Sequence, residues 1–113
     1  RLTQMFKHLL NNAIKFRKGG VPTKIDIKST SDQGHIIVSV TDNGIGFDEK
    51  YSNRIFDLFQ RLHSNDEYPG SGIGLSLCKK IAEDHQGYIS VASKPGEGST
   101  FNVHLPAVGR TVS

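Results

Sequence analysis

HIIVSVTDNGIGF, residues 35–47, decides the fold. Ile36, Val38 and Val40 alternate with polar partners, and side chains on a strand point to opposite faces with period 2, so the stretch reads as a β-strand with one apolar face. Asp42 falls on that same face, and a carboxylate delivered to the apolar side needs hydrogen-bond donors. The alternation then stops at Asn43-Gly44-Ile45-Gly46-Phe47. An Asn-Gly hairpin turn is one reading of this break. The other is a place where a flat ligand meets backbone bared by two residues without Cβ. The hairpin is the weaker reading, because IGFDEKYSN (45–53) does not resume an alternating strand.

Working outward from this strand, KIDIKS (24–29) alternates in the same way, and TSDQG (30–34) supplies turn residues, which predicts an antiparallel pair. Upstream, Leu2, Met5, Phe6, Leu9, Ala13 and Phe16 recur at steps of three and four. That spacing predicts an amphipathic helix from residue 2 to about 17, stopped by Gly19-Gly20 and Pro22. EKYSNRIFDLFQRLH (49–63) suggests a short helix carrying Ile55, Phe56, Leu58 and Phe59, and the polar SNDEYPGSG (64–72) reads as a loop. Leu75, Cys78, Ile81, Ala82 and His85 form a second helical stripe, with Gly87 where a left-handed cap is expected. YISVAS and STFNVHLP follow as strands around KPGEG, and AVGRTVS reads as a tail. The order of elements predicts one α+β domain: a two-layer sandwich, with a mixed, mostly antiparallel sheet carrying about three helices on one face.

The chain has 113 residues, 35% hydrophobic and 22% charged, which suits a single core. No apolar run approaches the roughly 18 residues a membrane helix needs, and the first residues are unlike a signal peptide. The lone Cys78 cannot close an internal disulfide. A net charge of +3 is modest. Its densest basic cluster, Lys15, Arg17 and Lys18, lacks the interleaved aromatics of a nucleic-acid surface, so no nucleic-acid partner is expected.

Four groups of residues carry potential chemistry. His8, Asn12 and Lys15, at i, i+4 and i+7, line one flank of the first helix. An amide oxygen there can coordinate Mg²⁺ and an ammonium can hold a phosphate oxygen, although a solvent-facing asparagine accounts for Asn12 as well. Asp42 at the apolar strand end suits a planar amino donor such as that of adenine. GSGIGL (70–75) opens a helix through glycines, an arrangement that presents free N–H groups to anions and also occurs for purely structural reasons. It lacks the Lys-Ser/Thr of a P-loop and the preceding strand of a dinucleotide fingerprint. In GEGSTF (96–101), Thr100 offers a hydroxyl that could support Asp42 or a water beside it; a turn with a β-branched strand start explains it equally well.

Taken in order, these stretches resemble the ATP-binding catalytic domain of sensor histidine kinases, in the gyrase/chaperone/histidine-kinase/MutL superfamily. HLLNNAIKF is similar to the N box, DNGIGF to the G1 box, IFDLFQRLH to the F box, GSGIGL to the G2 box and GEGSTF to the last glycine-threonine box. The resemblance spans residues 1–108, and FQRLHSNDEYPGSGIGLSLCKKI is most like phytochrome-like and hybrid kinases.

The resemblance implies a Bergerat-type fold that binds ATP with Mg²⁺. Asn12 would hold the metal, Lys15 a phosphate, and Asp42 the adenine, with Gly44, Ile45 and Gly46 shaping the adenine pocket and Thr100 backing Asp42. Phe56 and Phe59 would anchor a lid over 63–72, with Arg61 a second phosphate contact. Gly70, Ser71, Gly72, Ile73, Gly74 and Leu75 would place amides at the phosphates. His8 joins the site, in the position where superfamily ATPases and serine kinases carry a glutamate base; histidine there argues against both of those chemistries.

The implied reaction is transfer of the γ-phosphoryl group to a histidine of a separate helical dimerisation domain, with a response regulator receiver domain as the next partner. None of His8, His35, His63, His85 and His104 is followed by an acid, as the family's acceptor histidine is. A binding-only pseudokinase module is the alternative. The resemblance also implies a cytoplasmic, monomeric piece of a homodimeric parent, either soluble or membrane-bound, with residues 109–113 as tail and a sheet lacking its first strand.

Overall fold

The computed structural model describes residues 2–51, 55–56 and 73–106. The first helix, α1 (Leu2–Lys15), buries Met5, Leu9 and Ala13 along the predicted stripe, and ends two residues sooner than its apolar spacing suggests. Strands β1 (Ile25–Asp32) and β2 (His35–Asp42) pair antiparallel in the register Ile27 opposite Val40. Gln33 and Gly34, both with positive φ, make the two-residue turn between them, so TSDQG is mostly strand rather than loop. Such a turn twists in the sense the flanking strands need, which lets pairing run to Asp32. A 3-10 turn at Glu49–Tyr51 is what the described residues show of the helix predicted over 49–63. Ile55 and Phe56 are buried, Phe56 edge-on to Phe101 with ring centres 6.0 Å apart, while Leu58 and Phe59 lie outside the described residues.

Helix α2 (Ile73–Asp84) buries Leu75, Cys78, Ile81 and Ala82. His85, predicted to continue that stripe, is exposed: its Nδ1 lies 2.9 Å from the Ile81 carbonyl oxygen at the helix end. Gln86 (φ +67°) takes the left-handed position predicted for Gly87, and the bonds from Gly87 N to Ala82 O (2.8 Å) and Gln86 N to Glu83 O (3.0 Å) close the last turn. Gly87 is glycine for another reason, since a Cβ there would run into the His104 carbonyl oxygen.

Strands β3 (Tyr88–Lys94) and β4 (Gly98–Pro106) complete a sheet of order β1-β2-β4-β3, in which every pairing among the described residues is antiparallel. The sequence led us to expect a mixed sheet with about three helices. The described residues show an all-antiparallel sheet with two α-helices and the 3-10 turn on one face. Val40, Phe101, Val103 and Ile89 fill that face against α1 and α2. Ile27 points to the same side but is 57% exposed, because α1 lies over β2 and α2 over β3 and β4. No helix among the described residues is long and apolar enough to cross a membrane. The segments 63–72 and 109–113 lie outside the described residues.

Candidate functional site

Where β2 ends, α1 ends as well, and the DNGIGF loop is pinned between that helix end and the β3–β4 hairpin. Ile45 N donates to the Phe16 carbonyl at 3.0 Å, and Gly96 N donates to the Ile45 carbonyl at 2.6 Å. Asn43 clamps the loop after α1, accepting from Lys24 N at 2.9 Å and donating to Pro22 O at 3.0 Å. The glycines follow from this bracketing. A Cβ on Gly44 would sit 2.6 Å from Phe16 O, and one on Gly46, whose φ is +67°, would run into Lys94 O. The sequence suggested that Gly44 and Gly46 leave room for a flat ligand. In the structure protein backbone occupies the space at both, and the loop shapes the cleft by being drawn in tightly.

The cleft this creates is lined by Asn12, Phe16, Asp42, Ile45, Gly46, Phe47, Ile55 and Ser99. Asn12 of α1 and Asp42 of β2 thus face one cavity that is otherwise largely apolar, the usual character of a small-molecule site. Asp42 Oδ1 accepts from Gly44 N at 2.9 Å and Ser99 N at 3.3 Å. Oδ2 has no hydrogen-bond partner among the described residues. Burial raises the carboxyl above its ordinary range, partly offset by those two N–H groups. Ionised, Asp42 is a partly desolvated acceptor with one oxygen held by backbone and the other available, a fit for an N–H donor inside an apolar slot.

Thr100 does not take the role expected of it. It pairs with Thr41, its hydroxyl lies 3.0 Å from the Thr41 hydroxyl, and strand alternation turns both away from the face that carries Asp42. Ser99, directly opposite Asp42, stands there instead. Behind it is a residue the sequence reading missed altogether. Ser93 is 5% exposed, Ser99 is 8% exposed, and their hydroxyl oxygens are 2.8 Å apart. The signal was available in parity, since Ser93 continues the Ile89, Val91 face and Ser99 the Phe101, Val103 face. Phe16, Phe47 and Ile55, also unassigned from sequence, supply the apolar lining.

Of the remaining expected residues, His8 is half-buried on the Asn12 flank and Lys15 is exposed, its Nζ 5.7 Å from the centre of the Phe16 ring; neither lines the cleft. Ile73, Gly74 and Leu75 open α2, with Leu75 in the core. Phe59, Arg61, Gly70, Ser71 and Gly72 lie outside the described residues. No group of three or more His, Cys, Asp or Glu capable of holding a metal occurs among the described residues. A Mg²⁺ held by a single amide oxygen and carried in on phosphates fits this donor set; an all-protein metal cage does not.

The family described as "Histidine kinase-, DNA gyrase B-, and HSP90-like ATPase" matches residues 1–109. The chain is 50% identical to cyanobacterial phytochrome A of Nostoc sp. (strain PCC 7120) over 97% of its own length and 14% of the relative's. It is 49% identical to phytochrome-like protein Cph1 of Synechocystis sp. (strain PCC 6803) over 94% of its length, and again spans only 14% of that protein. Among solved structures, the catalytic domain of histidine kinase ThkA in a nucleotide-free form superposes with a TM-score of 0.76 at 32% identity, covering 94% of this chain and 67% of that one.

Proposed function

The chain belongs to the histidine kinase-, DNA gyrase B- and HSP90-like ATPase family, and we propose that it is the part of a two-component sensor kinase that binds Mg-ATP and donates the γ-phosphoryl group to a histidine on a separate helical dimerisation domain. A receiver domain of a response regulator is the next acceptor in this reading. The observation that carries it is Asp42: a partly buried carboxylate, fixed through one oxygen by two backbone N–H groups, in the same apolar cleft as Asn12.

In this reading Asp42 accepts from the adenine amino group between Phe16, Ile45, Phe47 and Ile55, and Ser99, rather than Thr100, stands beside it. Asn12 offers its amide oxygen to the metal, and Lys15, one turn on, reaches the phosphates. His8 lies on the same flank. Phe56, fixed in the core against Phe101, anchors the near end of the lid proposed for 63–72. Gly70, Gly72 and Gly74 then bring amides to the phosphates, with Arg61 a second cation. Bound Mg²⁺ supplies charge neutralisation across the phosphates. The chain's own part is positioning and electrostatic stabilisation, which is most of what phosphoryl transfer asks of a protein. The imidazole nitrogen of the partner domain forms the new N–P bond as the bond from the γ-phosphorus to the bridging oxygen breaks, and ADP leaves with that electron pair.

Calorimetric titration with ATP, with and without Mg²⁺, followed by labelled phosphotransfer to the dimerisation domain of the parent kinase, tests the proposal. Metal-strengthened binding with label on the partner histidine is expected. Tight binding with no transfer leaves a nucleotide-binding regulatory module, and no binding removes the reading altogether.

A further inference from the structure

We infer that Ser93, which is 5% exposed and absent from the lining that Asn12 shares with Asp42, sets the selectivity of the site for a 6-amino over a 6-oxo purine by fixing which way the Ser99 hydroxyl points its proton. The inference rests on the adenine-reading role given to Asp42 above.

A serine hydroxyl has one proton and two lone pairs. Ser93 Oγ has three neighbours: it donates to the Gly98 carbonyl at 2.8 Å, accepts from Phe47 N at 2.9 Å, and lies 2.8 Å from Ser99 Oγ. A carbonyl can only accept and an amide N–H can only donate, so those two neighbours consume the proton and one lone pair. One lone pair of Ser93 is left for Ser99, and Ser99 must therefore be the donor between them. With its proton committed behind the strand, Ser99 has only lone pairs for the cleft it lines. Asp42, opposite Ser99 in register, has only Oδ2 lone pairs to offer there.

The floor of the cleft is thus acceptor-only on both sides. An exocyclic amino group, with two N–H donors, satisfies both acceptors. A carbonyl oxygen in its place meets lone pairs on each side, and a buried acceptor left unpaired strongly disfavours the analogue. Ser93 acts as a positioning residue: it never reaches the purine, yet it decides what Ser99 can be.

The test compares ATP with ITP, its 6-oxo counterpart, by calorimetry on the wild-type chain and on Ser93→Ala, Ser99→Ala and the double variant, with circular dichroism to verify folding at the titration temperature. The wild type should prefer ATP. In Ser93→Ala the Ser99 proton is released to donate into the cleft, so the ATP-to-ITP preference should narrow by about tenfold, with ITP affinity rising. Ser99→Ala should narrow it by about threefold through removal of one acceptor, and the double variant should lose the ITP gain. Should Ser93→Ala not fold, Ser99→Ala carries the test. Both nucleotides weakening in parallel, with the preference unchanged, would mean that the serine pair is only structural and would overturn the inference while leaving ATP binding intact. Failure of the wild-type chain to bind ATP would instead remove the functional reading beneath it.

Discussion

On the β2 wall of the cleft, Asp42 is gripped by main-chain donors from Gly44 and Ser99, and the loop that follows is bonded to both a helix end and a hairpin turn. On the α1 wall, Asn12 projects from a helix face, with His8 on the same flank but outside the cleft lining, and among the described residues no hydrogen bond holds either side chain. The first wall is built into the fold: its geometry is set by backbone, and altering it means altering the protein. The second is a set of side chains on a rigid rod, ready to be organised by whatever binds. A site that must grip one end of its ligand firmly, and move the other end through a reaction, gains from this division.

Gly46→Ala breaks the first wall most severely. The new methyl group would meet the Lys94 carbonyl at a left-handed backbone position, so urea or thermal denaturation should record a loss of about 3 kcal/mol or more. Asp42→Asn separates binding from folding on the same wall. An amide oxygen can still accept from Gly44 and Ser99, and the desolvated charge is gone, so stability should hold or rise slightly. ATP affinity should nevertheless fall by about thirtyfold, with or without metal. If stability drops with affinity, the backbone grip is not what positions this group.

The pH dependence has a definite sign. The folded-state value of Asp42 is raised above 3.8, so its protonated form contributes stability that is fully present below that pH and lost as pH rises through the folded-state value. Asp42→Asn should abolish this part of the acid-limb stability profile, which pH-resolved denaturation can check.

Asn12→Ala probes the other wall. It should reduce ATP affinity by about tenfold in Mg²⁺, by less than about twofold in EDTA, and leave the melting point nearly unchanged. Equal losses with and without metal would contradict the role given to Asn12. The smallest effect belongs to Thr100→Val: the Thr41 contact disappears and nucleotide affinity should stay within about twofold of wild type. A large loss there would restore Thr100 to the site.

Much of this was legible in the sequence wherever one period dominated. The α1 stripe and the β2 parity that carries Asp42 inward follow from spacing alone, while the glycine-rich stretches are read through their resemblance, in order, to the family's boxes. What escaped had a common cause: the deciding partner lies on another strand or helix. Nothing local distinguishes Ser99 from Thr100 until β2–β4 register sets one against Asp42 and the other against Thr41. The Gly44 and Gly46 requirement likewise comes from Phe16 and Lys94, carbonyls brought close only by the finished fold. Gly87 also answers to the His104 carbonyl across the sheet, while the left-handed cap falls one residue earlier, at Gln86.

The bonds from Ile45 to Phe16 and from Gly96 to Ile45 have a kinetic consequence. They close large loops and join three segments far apart in the chain, and long-range closures of this kind are entropically costly to make early. The cleft should therefore form after the local hairpins and helices, on the native side of the rate-limiting step. A bound nucleotide would then lengthen the lifetime of the folded state while leaving the refolding rate nearly untouched.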